Sequence, residues 1–158
     1  MKGNPAVIGS LLTAAEMEAK LATQYHLDKR DLRFQSLKKL AKTISGFGED
    51  CECLLKEITD QAFQRGASPV KYSAGDAVEK PSVTAILQDA LTAENAIDTA
   101  FNNFYLVAAE KKDADTRNLF EHWIKLHEHE HIEWLEEQLS QIEKFTEPEY
   151  LKIQLAME

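Results

Sequence analysis

The stretch Phe120-Glu121-His122-Trp123-Ile124-Lys125-Leu126-His127-Glu128-His129-Glu130-His131-Ile132-Glu133-Trp134-Leu135 decides how this chain is to be read. Phe120, Ile124 and Leu135 fall on one face of a 3.6-residue period, and Glu128 and His131, one turn apart, fall on that same face. An amphipathic helix keeps charge off the stripe it buries, because a buried carboxylate without a partner is heavily penalised. A Glu-x-x-His pair on an apolar face therefore needs a reason. His127 lies near the edge of the face, whereas His122, His129 and Glu130 point away, as a solvated surface would.

Working outward, the same period runs through the chain. Asn4-Pro5 reads as a helix cap followed by a first-turn proline, and opens a helix over 5–34 with Ile8, Leu11, Leu12, Ala15, Ala19, Ala22 and Tyr25 on one face. A second helix spans 37–64, with Leu37, Leu40, Ala41, Ile44, Phe47, Cys51, Leu54, Leu55, Ile58 and Ala62 as its apolar stripe. Gly46 and Gly48 soften it, by about 1 kcal/mol each relative to Ala. A connection of some length over 66–81, with Pro69 and Gly75, lacks a period. Helices over 82–110 and 114–144 follow, parted by Lys111-Lys112-Asp113, with Asp113 as a cap. A short helix over 148–155 closes the chain. Four long helices joined by short, long and short links predict a single all-α domain over 1–158, a ferritin-like four-helix bundle with one long crossover and a short fifth C-terminal helix.

Composition narrows the function. The 158 residues carry 18 Lys+Arg against 27 Asp+Glu, a formal charge of −9. Between Glu110 and Glu149 there are 12 acidic residues against 5 Lys/Arg, and four of the five histidines lie there too. A negative chain without a basic cluster argues against nucleic acid and anionic membranes as partners and favours cations. No run is long enough to span a membrane, and the N-terminal stretch, broken by Gly9, Ser10 and Thr13, reads as the start of a helix rather than a signal peptide. Cys51 and Cys53 point about 200° apart on a helix and cannot bridge each other; free thiols fit a cytoplasmic location.

Two more helices break the amphipathic rule. Glu18 shares a face with Leu11, Ala15, Ala22 and Tyr25, and Glu94 sits among Leu87, Ala90, Leu91, Ile97 and Phe101. Singly, each can be a carboxylate reaching for the helix edge. Together with Glu128 and His131 they follow the arithmetic of four-helix metal centres: one Glu from each of two helices and a Glu-x-x-His from each of the other two. The oxygen and imidazole donors suit iron, manganese or zinc. The second helix breaks this pattern, placing Cys51 and Leu54 at its inward positions, and Cys51 stands as a further candidate ligand besides its ordinary role as a small core residue. His127 and Tyr25 are placed as supports of the ligands.

The chain resembles the bacterioferritins. The residues that carry the likeness are the Met1-Lys2-Gly3 start with Val7-Ile8, Gln24-Tyr25, Leu37-Lys38-Lys39-Leu40, Glu94, the run His131-Ile132-Glu133-Trp134-Leu135-Glu136, and Tyr150-Leu151. The resemblance implies a hollow 24-subunit cage storing ferric iron, a di-iron ferroxidase centre in each bundle, and haem b shared between subunits. Glu18, Glu94, Glu128 and His131 match four of the six ferroxidase ligands, while Cys51 and Leu54 stand where the family has a bridging Glu and a His. Glu52 stands where the family has its haem-ligating Met, and a carboxylate is not the thioether that site uses, which argues against haem. A one-residue shift would instead bring Asp50 and Cys53 to the ferroxidase positions, at the cost of turning Cys53 inward. The expectation is a bacterioferritin-like iron-storage subunit, in a homo-oligomer or a mixed cage with a second bacterioferritin-type subunit, holding one or two iron ions with an incomplete ferroxidase centre. The alternative is an active di-metal oxidase in which Cys51 or Asp50 replaces the missing ligands.

Overall fold

The structure is a computed structural model and describes residues 3–68 and 75–157. Six residues of the expected connection, 69–74, lie outside the described residues. Helix α1 spans Pro5–Phe34, α2 Lys38–Gln64 and α3 Val83–Glu110. A rod follows, built of α4 over Ala114–Leu126, a π-helical stretch His127–Ile132 and α5 over Glu133–Phe145; α6, Glu147–Ala156, ends it. No strand occurs among the described residues, and the all-α bundle with its short C-terminal helix matches the expected fold class.

Local chemistry sets the helix boundaries. Asn4 Oδ1 accepts from the Ala6 amide at 2.8 Å, Ser82 Oγ from Ala85 at 3.1 Å and Asp113 Oδ1 from Thr116 at 3.1 Å, so α1, α3 and α4 each start on a side-chain cap. The tight turns after α1, α3 and α5 pass through Ser36, Lys112 and Thr146, all at positive φ. Such backbone costs a non-glycine residue about 1–2 kcal/mol, and a short link between packed helices leaves no easier path.

The α1 and α2 helices form the most extensive pair. Gly48 explains part of this: a Cβ there would stand 3.3 Å from Tyr25 Cβ and 3.6 Å from the His26 ring, so glycine lets the two helices meet beside Tyr25. What weakens α2 as an isolated helix thus tightens the bundle. The starts of α1 and α4 and the ends of α2 and α3 share one end of the molecule, where the Gly3 amide donates to the Arg65 carbonyl at 2.9 Å. There Arg65 grips Asp113 with two bonds, Nε to Oδ2 at 2.7 Å and Nη2 to Oδ1 at 2.9 Å. Asp113 also accepts from Thr116 Oγ1 at 2.8 Å, and Gln61 Nε2 donates to that same hydroxyl at 2.9 Å. The long crossover carries the chain from this end to the other, pinned to α1 where Gln24 bonds both the amide and the carbonyl of Val78. Glu147 then ties α6 to the start of α3 by accepting from Thr84 N and Oγ1.

Apolar side chains fill the bundle, among them Leu11, Ile44, Ile58, Leu87, Phe101, Phe120, Trp123 and Leu135, all fully buried. Midway along the axis, four ionisable residues interrupt this packing.

One expectation is corrected here. The fourth helix does not run unbroken over 114–144: at residues 127–132 it loosens into a π-helix, and the Glu133 amide donates to the Glu128 carbonyl, five residues back. A π stretch fits one surplus residue into the rod and shifts the phase of the side chains it carries. Cys51 is buried and Cys53 exposed, both unpaired, so α2 keeps the register in which Cys51 faces inward and the one-residue shift is not adopted.

Candidate metal centre

Glu18 from α1, Glu94 from α3, and His127 and His131 from the π stretch are each 0 % exposed. Glu94 is the hub. Its Oε1 accepts from the Tyr25 hydroxyl at 2.5 Å and meets His131 Nδ1 at 2.7 Å, while its Oε2 meets His127 Nδ1 at 2.5 Å. The other nitrogen of His127 contacts Glu18 Oε1, and that of His131 reaches Asp50 Oδ2 at 2.9 Å. Asp50 is 44 % exposed at its side chain, so this α2 residue joins the buried chain of contacts to the surface.

The electrostatics follow from the geometry. Burial pushes the Glu94 carboxyl up, but hydrogen bonds and charge from His127 and His131 outweigh it and hold the group at about 2. Burial likewise pushes His127 down, and the flanking carboxylates of Glu18 and Glu94 reverse this and raise it to about 10. In the metal-free protein His127 is therefore an imidazolium between two carboxylates, donating from both ring nitrogens. Burial next to Glu94 raises the Tyr25 phenol, and burial beside Glu18 and Glu94 raises the Cys51 thiol.

Aromatic rings fix the imidazoles. Phe47 stacks on His131 with centroids 4.1 Å apart and an interplanar angle of 28°. Phe101 meets His127 edge-on at 5.8 Å, and the two imidazoles lie 5.2 Å apart at 89°. Locked rings hold their nitrogens in place before any ion arrives.

The placement differs from the sequence reading at one pair of residues. His127, read as lying at the edge, sits at the heart of the cluster, and Glu128, read as inward, does not join it. Glu128 is half-buried and turns to the α3 flank, where a hydrogen bond with Asp98 and then burial raise its carboxyl. The π stretch is the reason, because its phase shift gives the inward places to His127 and His131. Glu18, Glu94 and His131 are brought together, with Tyr25 bonded to Glu94. Cys51 is fully buried on the inward face of α2 but stands outside the converging ligand atoms of Glu94, His127 and His131, and Leu54 lies beyond it on the same buried stripe. Glu52 stands on the surface, where it meets His26 at 2.5 Å. His122, His129 and Glu130 are exposed, and His129 contacts Glu133 at 2.9 Å.

The residues fit a cation. Glu94, His127 and His131 each offer a ligand atom, all within 4.8 Å of one another. Glu18 Oε2, fully buried, has no hydrogen-bond partner, which leaves a carboxyl oxygen with coordinating capacity unspent. Two imidazoles and two carboxylates are the donors of iron, manganese and zinc sites. No helix among the described residues is long and apolar enough to cross a membrane.

Comparison with curated proteins returns no match. The family model described as Ferritin-like domain matches residues 9–145. That span takes in most of α1, the other three long helical elements and every member of the buried Glu-His cluster, so the chain belongs to the ferritin-like domain family.

Proposed function

We propose that this chain is a bacterioferritin-like subunit of an iron-storage cage, whose bundle holds a single divalent ion and turns over little or no ferrous iron. The observation that carries this reading is the one-sidedness of the centre. Its converging donors come from α1, α3 and the π stretch, while the buried face of α2 presents Phe47, Cys51, Leu54 and Ile58. Paired two-electron chemistry on dioxygen or peroxide needs two ions bridged by carboxylates, and α2 brings neither a bridging Glu nor a second imidazole. Glu94, His127 and His131 serve one ion, with Glu18 beside them; iron beyond that ion is cargo for the cage interior. The same reading makes the subunit part of a homomeric or mixed 24-subunit shell in the cytoplasm. Glu52, a carboxylate already engaged by His26, argues against haem as a second cofactor.

The active di-metal oxidase is the second reading, favoured by one contact. Asp50 Oδ2 lies 2.9 Å from His131 Nε2, so one α2 carboxylate does reach the cluster from the solvent side. Anaerobic titration with ferrous iron followed by air separates the two. The one-ion reading expects saturation at one ion per subunit and no fast oxidation phase on mixing. Saturation at two ions with a fast phase establishes the oxidase instead.

A further inference from the structure

A groove between α2, α5 and α6 is walled by hydrocarbon and side-chain amides. Leu40 and Thr43 of α2, Trp134 and Gln138 of α5, and Ile153 and Gln154 of α6 line it, and it encloses about 260 Å³. Drug-sized ligands fill roughly 300–1,000 Å³, so this space suits a single ring system rather than an extended cofactor. Among the described residues, none that lines it is acidic.

Gln154 is the residue out of place in it. Only 7 % of it is exposed, yet its side-chain amide has no hydrogen-bond partner among the described residues. A buried amide left unpaired is penalised at both its nitrogen and its carbonyl, and leucine would serve the helix as well. Gln138, 9 % exposed, lines the same groove: its Oε1 accepts from the Tyr150 hydroxyl at 2.6 Å, and its Nε2 has no acceptor. The Thr43 hydroxyl donates to the Lys39 carbonyl at 3.3 Å and keeps its lone pairs for accepting. Trp134, half-buried, is fixed by Phe47 at 5.4 Å between centroids and an interplanar angle of 89°. Buried amides with unused donors and acceptors, next to a fixed indole, describe a site for a planar polar ring.

We propose that this groove binds an adenine ring, as the free base or in a nucleoside, with Gln154 reading its edge and Trp134 and the aliphatic side chains covering its faces. A glutamine amide presents an acceptor and a donor side by side, and the 6-amino group and N7 of adenine offer the complementary pair. Bases pack on indole rings whatever their identity, so the edge carries the selection. Gln138 Nε2 and Thr43 Oγ1 supply a further donor and acceptor. The site is independent of the metal reading, since Glu94, His127 and His131 do not line the groove.

Calorimetric titration of the full-length protein with adenine and adenosine, and with their 6-oxo counterparts hypoxanthine and inosine, tests this. The expected result is one adenine or adenosine per subunit, the tighter of the two telling whether base or nucleoside is the ligand. The 6-oxo compounds carry an acceptor where the amide needs a donor, and bind weaker by about tenfold or more. Gln154→Leu, close in size, lowers adenine or adenosine affinity by about tenfold or more, while the ligand-free variant melts no lower than the parent because an unpaired amide has given way to hydrocarbon. Absence of binding by both adenine and adenosine at millimolar concentration overturns the proposal. Equal binding of the 6-oxo compounds overturns it, since the edge is then not read. Unchanged affinity in Gln154→Leu puts the ring elsewhere, and a melting temperature well below that of the parent shows that the amide serves the fold; either result also overturns it.

Discussion

The polar cluster at one end of this bundle and the one at its middle differ in whether their bonds close. At the end of the molecule, Arg65, Asp113, Thr116 and Gln61 satisfy one another: a guanidinium fork on a carboxylate, a hydroxyl between carboxylate and amide, and one net charge of each sign. At the middle, Glu18, Glu94, His127 and His131 are held together but one buried oxygen of Glu18 is left over. A closed network is a structural clasp, fixing the start of α4 against the end of α2. An open one, assembled from residue types that ligate metals, keeps capacity for something the chain itself does not supply.

The sharpest way to break that comparison is to remove the hub of the open cluster. Replacing Glu94 and His131 together by Ala abolishes ion binding at the bundle centre while the helical bundle persists at reduced stability, because the truncation leaves a cavity and takes the Glu94 carboxylate away from Tyr25 and His127. Metal analysis of the purified variant beside its circular dichroism checks both halves, and unchanged metal content refutes the metal reading. The clasp behaves in the opposite sense. Arg65→Ala strands Asp113 in a largely buried position and costs roughly 3 kcal/mol of unfolding free energy, measured by denaturant titration, with the stoichiometry of bound ion unaltered. A smaller effect separates the clasp by pH. The fork from Arg65 outweighs burial and holds Asp113 at about 2, below its ordinary 3.8. Its contribution is therefore complete above about pH 4 and lost as pH falls through about 2, worth about 2 kcal/mol by linkage. Asp113→Asn keeps the helix cap but lacks that titration, so its stability falls less steeply between pH 4 and pH 2 than that of the parent chain.

Much of the fold can be read from the sequence because its cues are local and agree with one another. Asn4-Pro5, Ser82 and Asp113 mark helix starts, and the apolar period passes through Gly46 and Gly48 without a break. Glu18, Glu94 and His131 stand out as inward residues because each interrupts an otherwise apolar stripe. His127 and Glu128 could not be told apart in this way. From Ile124 to His131 the helical period allows a step of three then four, which selects His127, or four then three, which selects Glu128, and both place Leu135 inward. The π stretch settles the matter through packing between Glu94 and the two imidazoles, a tertiary preference with no signature in hydrophobic pattern. Gly48 was likewise visible only as a weak helix former, since its use depends on where Tyr25 of another helix comes to rest.

The π stretch also means that the centre is written in chain length as well as in residue identity. A rod with one residue too many between Leu126 and Glu133 has a single relaxed alternative: deletion of any one residue there restores a plain α-helix and turns everything on one side of the cut by about 100° relative to the other. Every ligand-type side chain could be retained through such an event and the centre would still be dismantled, or a different carboxylate and imidazole brought inward in its place. Among relatives of this chain, then, a gain or loss of one residue in this segment is a change of metal chemistry, even where the letters around it are the same.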